Sequence, residues 1–170
     1  MKNHLKNAFT LLVSFSLLFL VSCSKDDAAD GPGYEFIDQN AQGMIDGISF
    51  TFAVGTSEVR NDGEDLSVDF YDVTEELTDV CGFFGFGDSV SVFFSIPNAV
   101  GVYELSFSLD NLEDGRTVTM FNPAKTLNIL ATEGAVEILS ISDTEVTGRI
   151  DARAGDGDAI NGNFTLTICE

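Results

Sequence analysis

The sequence predicts an all-β domain, an antiparallel two-layer β-sandwich of about ten short strands, with a flattened β-barrel as the alternative. Apolar and polar residues alternate along most of the chain from Gln42 onward, which is typical of strands that bury one face. Turn-forming clusters separate these runs at a spacing of about ten residues. No apolar repeat at helical spacing extends beyond one turn.

The strands are expected in the following order. Asp46-Gly47 predicts a two-residue type I′ hairpin turn, because both turn positions need positive φ. The core-facing residues of the next runs are Ile48, Phe50, Phe52 and Val54; Leu66, Val68 and Phe70; Val90, Val92, Phe94 and Ile96; Tyr103, Leu105, Phe107 and Leu109; Val146, Gly148 and Ile150; and Ile160, Gly162, Phe164, Leu166 and Ile168. Turn clusters rich in Gly, Asp and Asn separate these runs, as at 60–65, 110–116 and 154–158.

Residues 1–22 have the pattern of a lipoprotein signal peptide. Basic residues at the start precede an apolar run, AFTLLVSFSLLFLV, that is too short for a membrane span of about 20 residues. The run ends in Leu20-Val21-Ser22-Cys23, which resembles the bacterial lipobox. The resemblance implies that Cys23 is acylated and becomes the new N-terminus.

The residues after Cys23 resemble the surface-export signal of Bacteroidota lipoproteins, a lysine followed by two acidic residues. Here these are Lys25, Asp26 and Asp27, and the resemblance implies an outer-membrane protein that faces the medium. The alternative is that they only open a solvated acidic linker. Residues 23–33 are expected to form a disordered tether of at most about 33 Å, and 34–170 a single β domain.

Charge and composition exclude several classes of function. The signal peptide holds Lys2 and Lys6 of the 8 basic residues, so 6 remain against 28 acidic residues, a net charge of −22. Such a chain repels nucleic acid, and its membrane contact is expected through the lipid anchor only. Because His4 is the only histidine, the mature protein lacks the usual catalytic base and His-ligated metals. We predict no enzymatic activity and no cofactor.

Four short motifs lie in the second half of the chain: Gly101-Val102-Tyr103, Gly134-Ala135-Val136-Glu137-Ile138, Val146-Thr147-Gly148-Arg149-Ile150 and Asn161-Gly162-Asn163-Phe164. With the MIDGISF hairpin, they resemble a recurring type of small Bacteroidota lipoprotein domain of unknown function. The resemblance implies an all-β fold and implies no activity.

Cys81 and Cys169 are the only thiols that remain after lipidation. An exported protein lies in an oxidising compartment, so we predict a disulfide between them, which would close a loop of about 88 residues. The alternative is two unpaired cysteines.

Acidic turns contain the candidate calcium ligands Asp62, Glu64, Asp65, Asp156 and Asp158. Calcium takes six to eight oxygens, and an EF-hand loop has Gly at its sixth position and a closing Glu. After Asp156 the glycine falls at the seventh position and no such Glu follows. Since Asp-Gly pairs are common in hairpin turns, we expect turns here and no metal site.

A glycine-rich segment follows Cys81 and contains Phe83, Phe84 and Phe86. Glycine permits many backbone conformations and the rings between the glycines offer large apolar area, which suits a contact loop; the alternative is a buried strand with a bulge. Asp88-Ser89-Val90 resembles the acceptor of Bacteroidota O-glycosylation, which implies modification of Ser89.

The sequence therefore predicts a non-enzymatic, outer-membrane-anchored surface lipoprotein that binds a protein or glycan partner or has a structural role in the envelope. One alternative is a small-ligand carrier, with an enclosed apolar pocket of at least about 300 Å³ beside small inward residues such as Gly148 and Gly162. The other is a carboxylate hydrolase, which requires two buried acids that share one cleft.

Overall fold

The structure is a computed structural model, and it describes residues 33–73, 79–82, 89–107, 109–110 and 115–169. Within these residues the chain forms eleven strands and no α-helix: β1 (Gln42–Ile45), β2 (Ile48–Thr51), β3 (Val54–Arg60), β4 (Asp65–Tyr71), β5 (Ser91–Pro97), β6 (Gly101–Glu104), β7 (Val118–Asn122), β8 (Leu127–Ala131), β9 (Glu133–Ile141), β10 (Glu145–Arg153) and β11 (Ala159–Cys169). The predicted all-β class is confirmed.

The strands form one mixed sheet in the order β6-β9-β10-β11-β3-β4-β5-β7-β8, with β1 between β11 and β2. The sheet curls strongly into a half-barrel, so the barrel-like alternative fits this architecture. Neighbouring strands in the described residues are antiparallel with one exception. The C-terminal end of β11, from Thr167 to Cys169, runs parallel to Thr56–Glu58 of β3, while β10 on the other side of β11 is antiparallel to it.

The predicted hairpin turn at Asp46-Gly47 is confirmed. Ile45 pairs with Ile48 across the turn, and Asp46 and Gly47 have φ values of 51° and 76°. Both residues therefore occupy the left-handed region that a type I′ turn requires.

Core-facing side chains fill the concave side of the sheet. The predicted alternation holds in β4, β5, β10 and β11, where the inward residues are buried except Ile168 at the end of β11, which is partly buried. The Phe70 ring lies at the centre, with centroid distances of 4.9 Å to Phe52, 5.4 Å to Phe94 and 4.9 Å to Phe164. Tilted and edge-on ring packing at these distances contributes energy beyond simple burial.

Two expected core-facing runs are wrong in part. Ile48 is 42% exposed: it lies beside the hairpin turn, whereas Phe50 of the same strand is buried. Phe107 and Leu109 are 46% and 80% exposed, since β6 ends at Glu104. The Leu105 amide still bonds the Gly134 carbonyl of β9 at 2.9 Å, and the next residue, Ser106, forms a bridge with Arg116 instead.

Candidate functional site

Residues 33–39, which we call the N-terminal strap, lie against the outward-facing polar side chains of β10 and β11. The Glu35 amide donates to Asp151 Oδ2 at 2.9 Å, and the Ile37 amide donates to Asn161 Oδ1 at 2.9 Å. Asn161 Nδ2 in turn donates to the Glu35 carbonyl at 2.8 Å. These two side chains thus bind strap backbone that would otherwise need water, which fixes the course of the strap.

The strap leads into β1 through a close backbone approach to β11. The backbone amide of Asn163 donates to the backbone carbonyl of Gln39 at 2.6 Å, and the Ala41 amide donates to the backbone carbonyl of Asn163 at 2.9 Å. Gly162 has a φ of 138°, and a Cβ there would lie 2.6 Å from the Asn40 carbonyl oxygen. Only glycine allows this conformation and this distance together.

Two arginines of β10 hold the strap from the same face. Arg153 Nη2 donates to the Gly33 carbonyl, and Arg153 Nε lies 3.2 Å from Asp151 Oδ1. Arg149 pairs with Glu137 and places its guanidinium 4.5 Å from the centroid of the Phe36 ring, a cation–π contact. A groove of about 600 Å³ runs beside this contact region. Its lining comprises Gly33, Tyr34, Glu35, Ile37, Asp151, Arg153 and Asn161.

The structure pairs Cys81 with Cys169 in a disulfide, with 5.5 Å between the Cα atoms. This separation lies within the range that a disulfide requires. Cys81 lies in the connection between β4 and β5, and Cys169 ends β11. Because β3 lies between β11 and β4 in the sheet, the bond links chain segments from either side of β3.

Asp69 and Tyr71 lie on the outward face of β4, where Asp69 is in register with the buried Thr56 of β3. Burial raises the pKa of Asp69, and the negative charge of Glu58 raises it further. Burial also raises the pKa of Tyr71 to about 12, with smaller contributions from Asp69 and Glu58. This part of the outer face therefore disfavours negative charge.

A second polar cluster lies at the tip of the β1–β2 hairpin. The buried Asn122 donates to Asp46 Oδ2 at 2.7 Å, and Lys125 Nζ lies 2.6 Å from the same oxygen. Hydrogen bonds from Lys125 and then Asn122 lower the pKa of Asp46. The Asp46 amide donates to Asp158 Oδ1 at 2.6 Å, so the cluster joins three turns of the domain. The sequence pattern predicts Asp46 only as a turn residue, because Asn122 and Asp158 lie 76 and 112 positions away.

The acidic segments that contain the candidate calcium ligands form chain turns. Asn61 and Asp62 have positive φ values, and Asn61 Nδ2 hydrogen-bonds Asp65. Asp158 accepts the Asp46 amide, while the Asp156 side chain lies outside the described part of the structure. The described residues contain no group of three or more His, Cys, Asp or Glu side chains that could hold a metal ion.

Several predicted site residues lie outside the described residues: Cys23, Lys25, Asp26, Asp27, Phe83, Phe84 and Phe86. Their roles remain predictions. Ser89 is described and exposed.

Within the described residues there is no helix with the length and apolar character needed to cross a membrane. No protein-family model, curated protein or solved structure matches this chain.

Proposed function

We propose that this protein is a non-enzymatic, outer-membrane-anchored lipoprotein of Bacteroidota type that holds a β domain at the cell surface. The domain binds a protein or glycan partner or has a structural role in the envelope. The observation that carries the proposal is the strap, because the expected tether leads directly into it. A force on an anchor at Cys23 would pass through Glu35 and Ile37 to β10 and β11. These strands lie inside the sheet, away from its edges.

The interior of the sheet favours this role over that of a small-ligand carrier. The two glycines expected to leave room for a ligand face other groups instead. A Cβ on Gly148 would lie 2.5 Å from the Phe164 ring, and one on Gly162 would meet the backbone of Asn40. Around Phe70 the space is occupied by other phenylalanine rings.

The number of buried acidic side chains among the described residues does not favour a hydrolase. Among the described residues, Asp151 is the one acidic side chain that is buried, and it binds Glu35 and Arg153. A two-carboxylate mechanism needs a second acid across a cleft from the first.

The basic side chains support the exclusion of nucleic acid. Each of the five described cations is engaged within the chain: Arg60 with Glu58, Lys125 with Asp46, Arg149 with Glu137, Arg153 with Asp151, and Arg116 with the Tyr103 ring. A phosphate backbone would have to compete with these contacts and with the net negative charge of the chain.

The anchor is tested by Cys23→Ala in the full-length protein expressed in its own host. We expect this variant to take up no labelled fatty acid and to leave the membrane fraction, whereas the adjacent Ser24→Ala control should stay acylated and bound. Membrane retention of Cys23→Ala after detergent-free fractionation would refute the proposed anchor.

Surface display is tested separately. Replacement of Lys25, Asp26 and Asp27 by alanine should abolish digestion of the protein by added protease on intact cells, while acylation persists. The matched control is Asp30→Ala, which removes a tether charge outside this motif. Unchanged digestion of the triple variant would exclude an export role for the three residues.

A further inference from the structure

The half-barrel has an open seam between β8 and the β10–β11 turn. β8 and β9 follow one another with only Thr132 between them, and β10 accompanies β9 as far as the Glu133–Arg153 pair. The Thr132 amide donates to the Arg153 carbonyl at 3.2 Å, and the chain then folds back, with the Ala154 amide bonded to the Asp158 carbonyl. Within the described residues β8 therefore pairs with β7 alone, and its other edge has no neighbouring strand.

The β8 edge is uncharged and partly apolar, although the whole chain carries a net charge of −20. Its sequence is LNILA, and Leu127 and Leu130 are 38% and 44% exposed. Natural sheets usually protect an edge strand with charges, prolines or bulges, since its unpaired backbone groups attract other strands. An unprotected edge of this kind is open to a further strand.

A groove of about 430 Å³ lies along this edge. Its walls are formed by Leu127, Ile129 and Leu130 of β8, by Asp46 and Gly47 of the hairpin tip, and by Ala154, Gly155 and Asp158 of the β10–β11 turn. An incoming strand would find apolar side chains on the β8 side and carboxylates on the opposite wall. Lys125 already forms an ion pair with Asp46.

We propose that β8 is a strand-addition site for an extended segment of a basic partner protein. Backbone hydrogen bonds to the β8 edge would supply affinity, and alternating apolar and cationic side chains would meet the leucines and Asp158. A second copy of this chain is disfavoured, because both molecules would bring a large negative charge to the contact.

The inference deepens the proposed display role by naming the class of partner. Arg153 binds the Gly33 carbonyl, and the next residue, Ala154, lines the groove. The partner would thus meet the domain near the point where the expected tether joins it.

The test uses the full-length protein in detergent solution and a blocked peptide of alternating valine and lysine, about six residues long like an ordinary strand. Fluorescence anisotropy of the labelled peptide reports binding, and amide hydrogen exchange reports protection of Leu127–Ala131. Two matched peptides serve as controls. One has N-methylated amides that cannot donate to a strand, and the other carries glutamate in place of lysine.

Two leucines provide the matched protein variants. Leu130→Lys places a charge on the β8 edge, whereas Leu139→Lys makes the same change at a 49% exposed leucine of β9 that does not line the groove. Asp158→Asn removes the carboxylate charge and keeps an oxygen that can accept the Asp46 amide. Thermal unfolding of each variant checks that the fold persists.

We expect the valine–lysine peptide to bind and to protect β8 amides. We expect Leu130→Lys to weaken binding at least about tenfold and Leu139→Lys to change it less than about twofold. Asp158→Asn and the glutamate peptide should both reduce binding, and the N-methylated peptide should not bind.

The proposal is overturned if the valine–lysine peptide does not bind, if Leu130→Lys binds it as tightly as the unmodified protein, or if N-methylation has no effect. It is also overturned if the protein alone forms dimers that Leu130→Lys dissociates, since the groove would then serve a second copy. Because the assay needs no membrane, these outcomes are independent of acylation at Cys23.

Discussion

Asp151 Oδ2 accepts a hydrogen bond from the Glu35 amide at 2.9 Å, across 116 positions of sequence. Asp151 is 4% exposed, and its other oxygen lies 3.2 Å from Arg153 Nε. One carboxylate on an inner strand therefore holds both the strap and an arginine that itself bonds Gly33. The strap therefore belongs to the folded domain, and the expected tether can include only residues that precede the strap.

The first prediction concerns this carboxylate. Asp151→Ala leaves the Glu35 amide without its acceptor and Arg153 without its counter-ion. We expect the free energy of unfolding to fall by about 1–3 kcal/mol, the cost of an unsatisfied buried group. Urea unfolding measures the loss, and faster exchange of the Glu35 amide would locate it in the strap.

The matched control is Asp143→Ala, which removes an exposed carboxylate from the β9–β10 turn. We expect a change within about 0.5 kcal/mol, as for other surface substitutions. Equal losses in both variants would mean that Asp151 has no special part in holding the strap.

The second prediction concerns the close approach at Gly162. In Gly162→Ala the new Cβ would lie 2.6–2.7 Å from backbone atoms of Asn40 and Ala41, and its positive φ adds strain. We expect a loss of at least about 2 kcal/mol, because backbone cannot move aside as a side chain can. Urea unfolding measures this loss. Gly155→Ala is the control, since a Cβ there meets nothing within 4 Å.

The third prediction concerns the Cys81–Cys169 bond, which closes a loop with a sequence separation of 88. Loop-closure entropy for this length corresponds to about 4.6 kcal/mol. We expect reduction to lower the melting temperature by about 5 °C or more. Non-reducing mass spectrometry of the exported protein should find the two cysteines joined. Two thiols that react with an alkylating agent in the native protein would contradict this result.

Local and periodic features of the fold could be predicted from the sequence. The Asp46-Gly47 turn depends on two adjacent residues, and the alternation in β4 and β5 depends on burial of one strand face. Both signals lie within a few residues, so they are visible without knowledge of the topology.

The candidate sites depend on pairings that short-range patterns do not encode. Asn122 reaches Asp46 across 76 positions, and the parallel pairing of β11 with β3 joins opposite ends of the domain sequence. In the sequence Asn122 is one more polar residue near a turn. The seam at β8 likewise follows from where β10 turns away, which depends on the register of β9 and β10.

The fourth prediction concerns pH and Asp69. Because burial raises its pKa above 3.8 in the folded protein, folding favours the protonated carboxyl. The contribution of Asp69 to the free energy of unfolding is therefore most favourable below the unfolded pKa. It falls as pH rises through the interval up to the raised folded pKa. Asp69→Asn removes this penalty. We expect its melting temperature to exceed that of the unmodified protein by about 1–3 °C at neutral pH, and the difference to vanish in acid.

The same substitution should act on Tyr71, whose pKa of about 12 is raised first by burial and then by the charge of Asp69. In Asp69→Asn the phenolate absorbance of Tyr71, identified by its loss in Tyr71→Phe, should appear at lower pH. A shift should remain, because burial is its largest cause and the charge of Glu58 also contributes. Asp143→Asn, an exposed carboxylate elsewhere, should leave both the titration and the melting curve unchanged. If Asp69→Asn instead loses stability at neutral pH, the ionised carboxylate must be bound favourably in the fold, and the assigned direction of its pKa shift would be wrong.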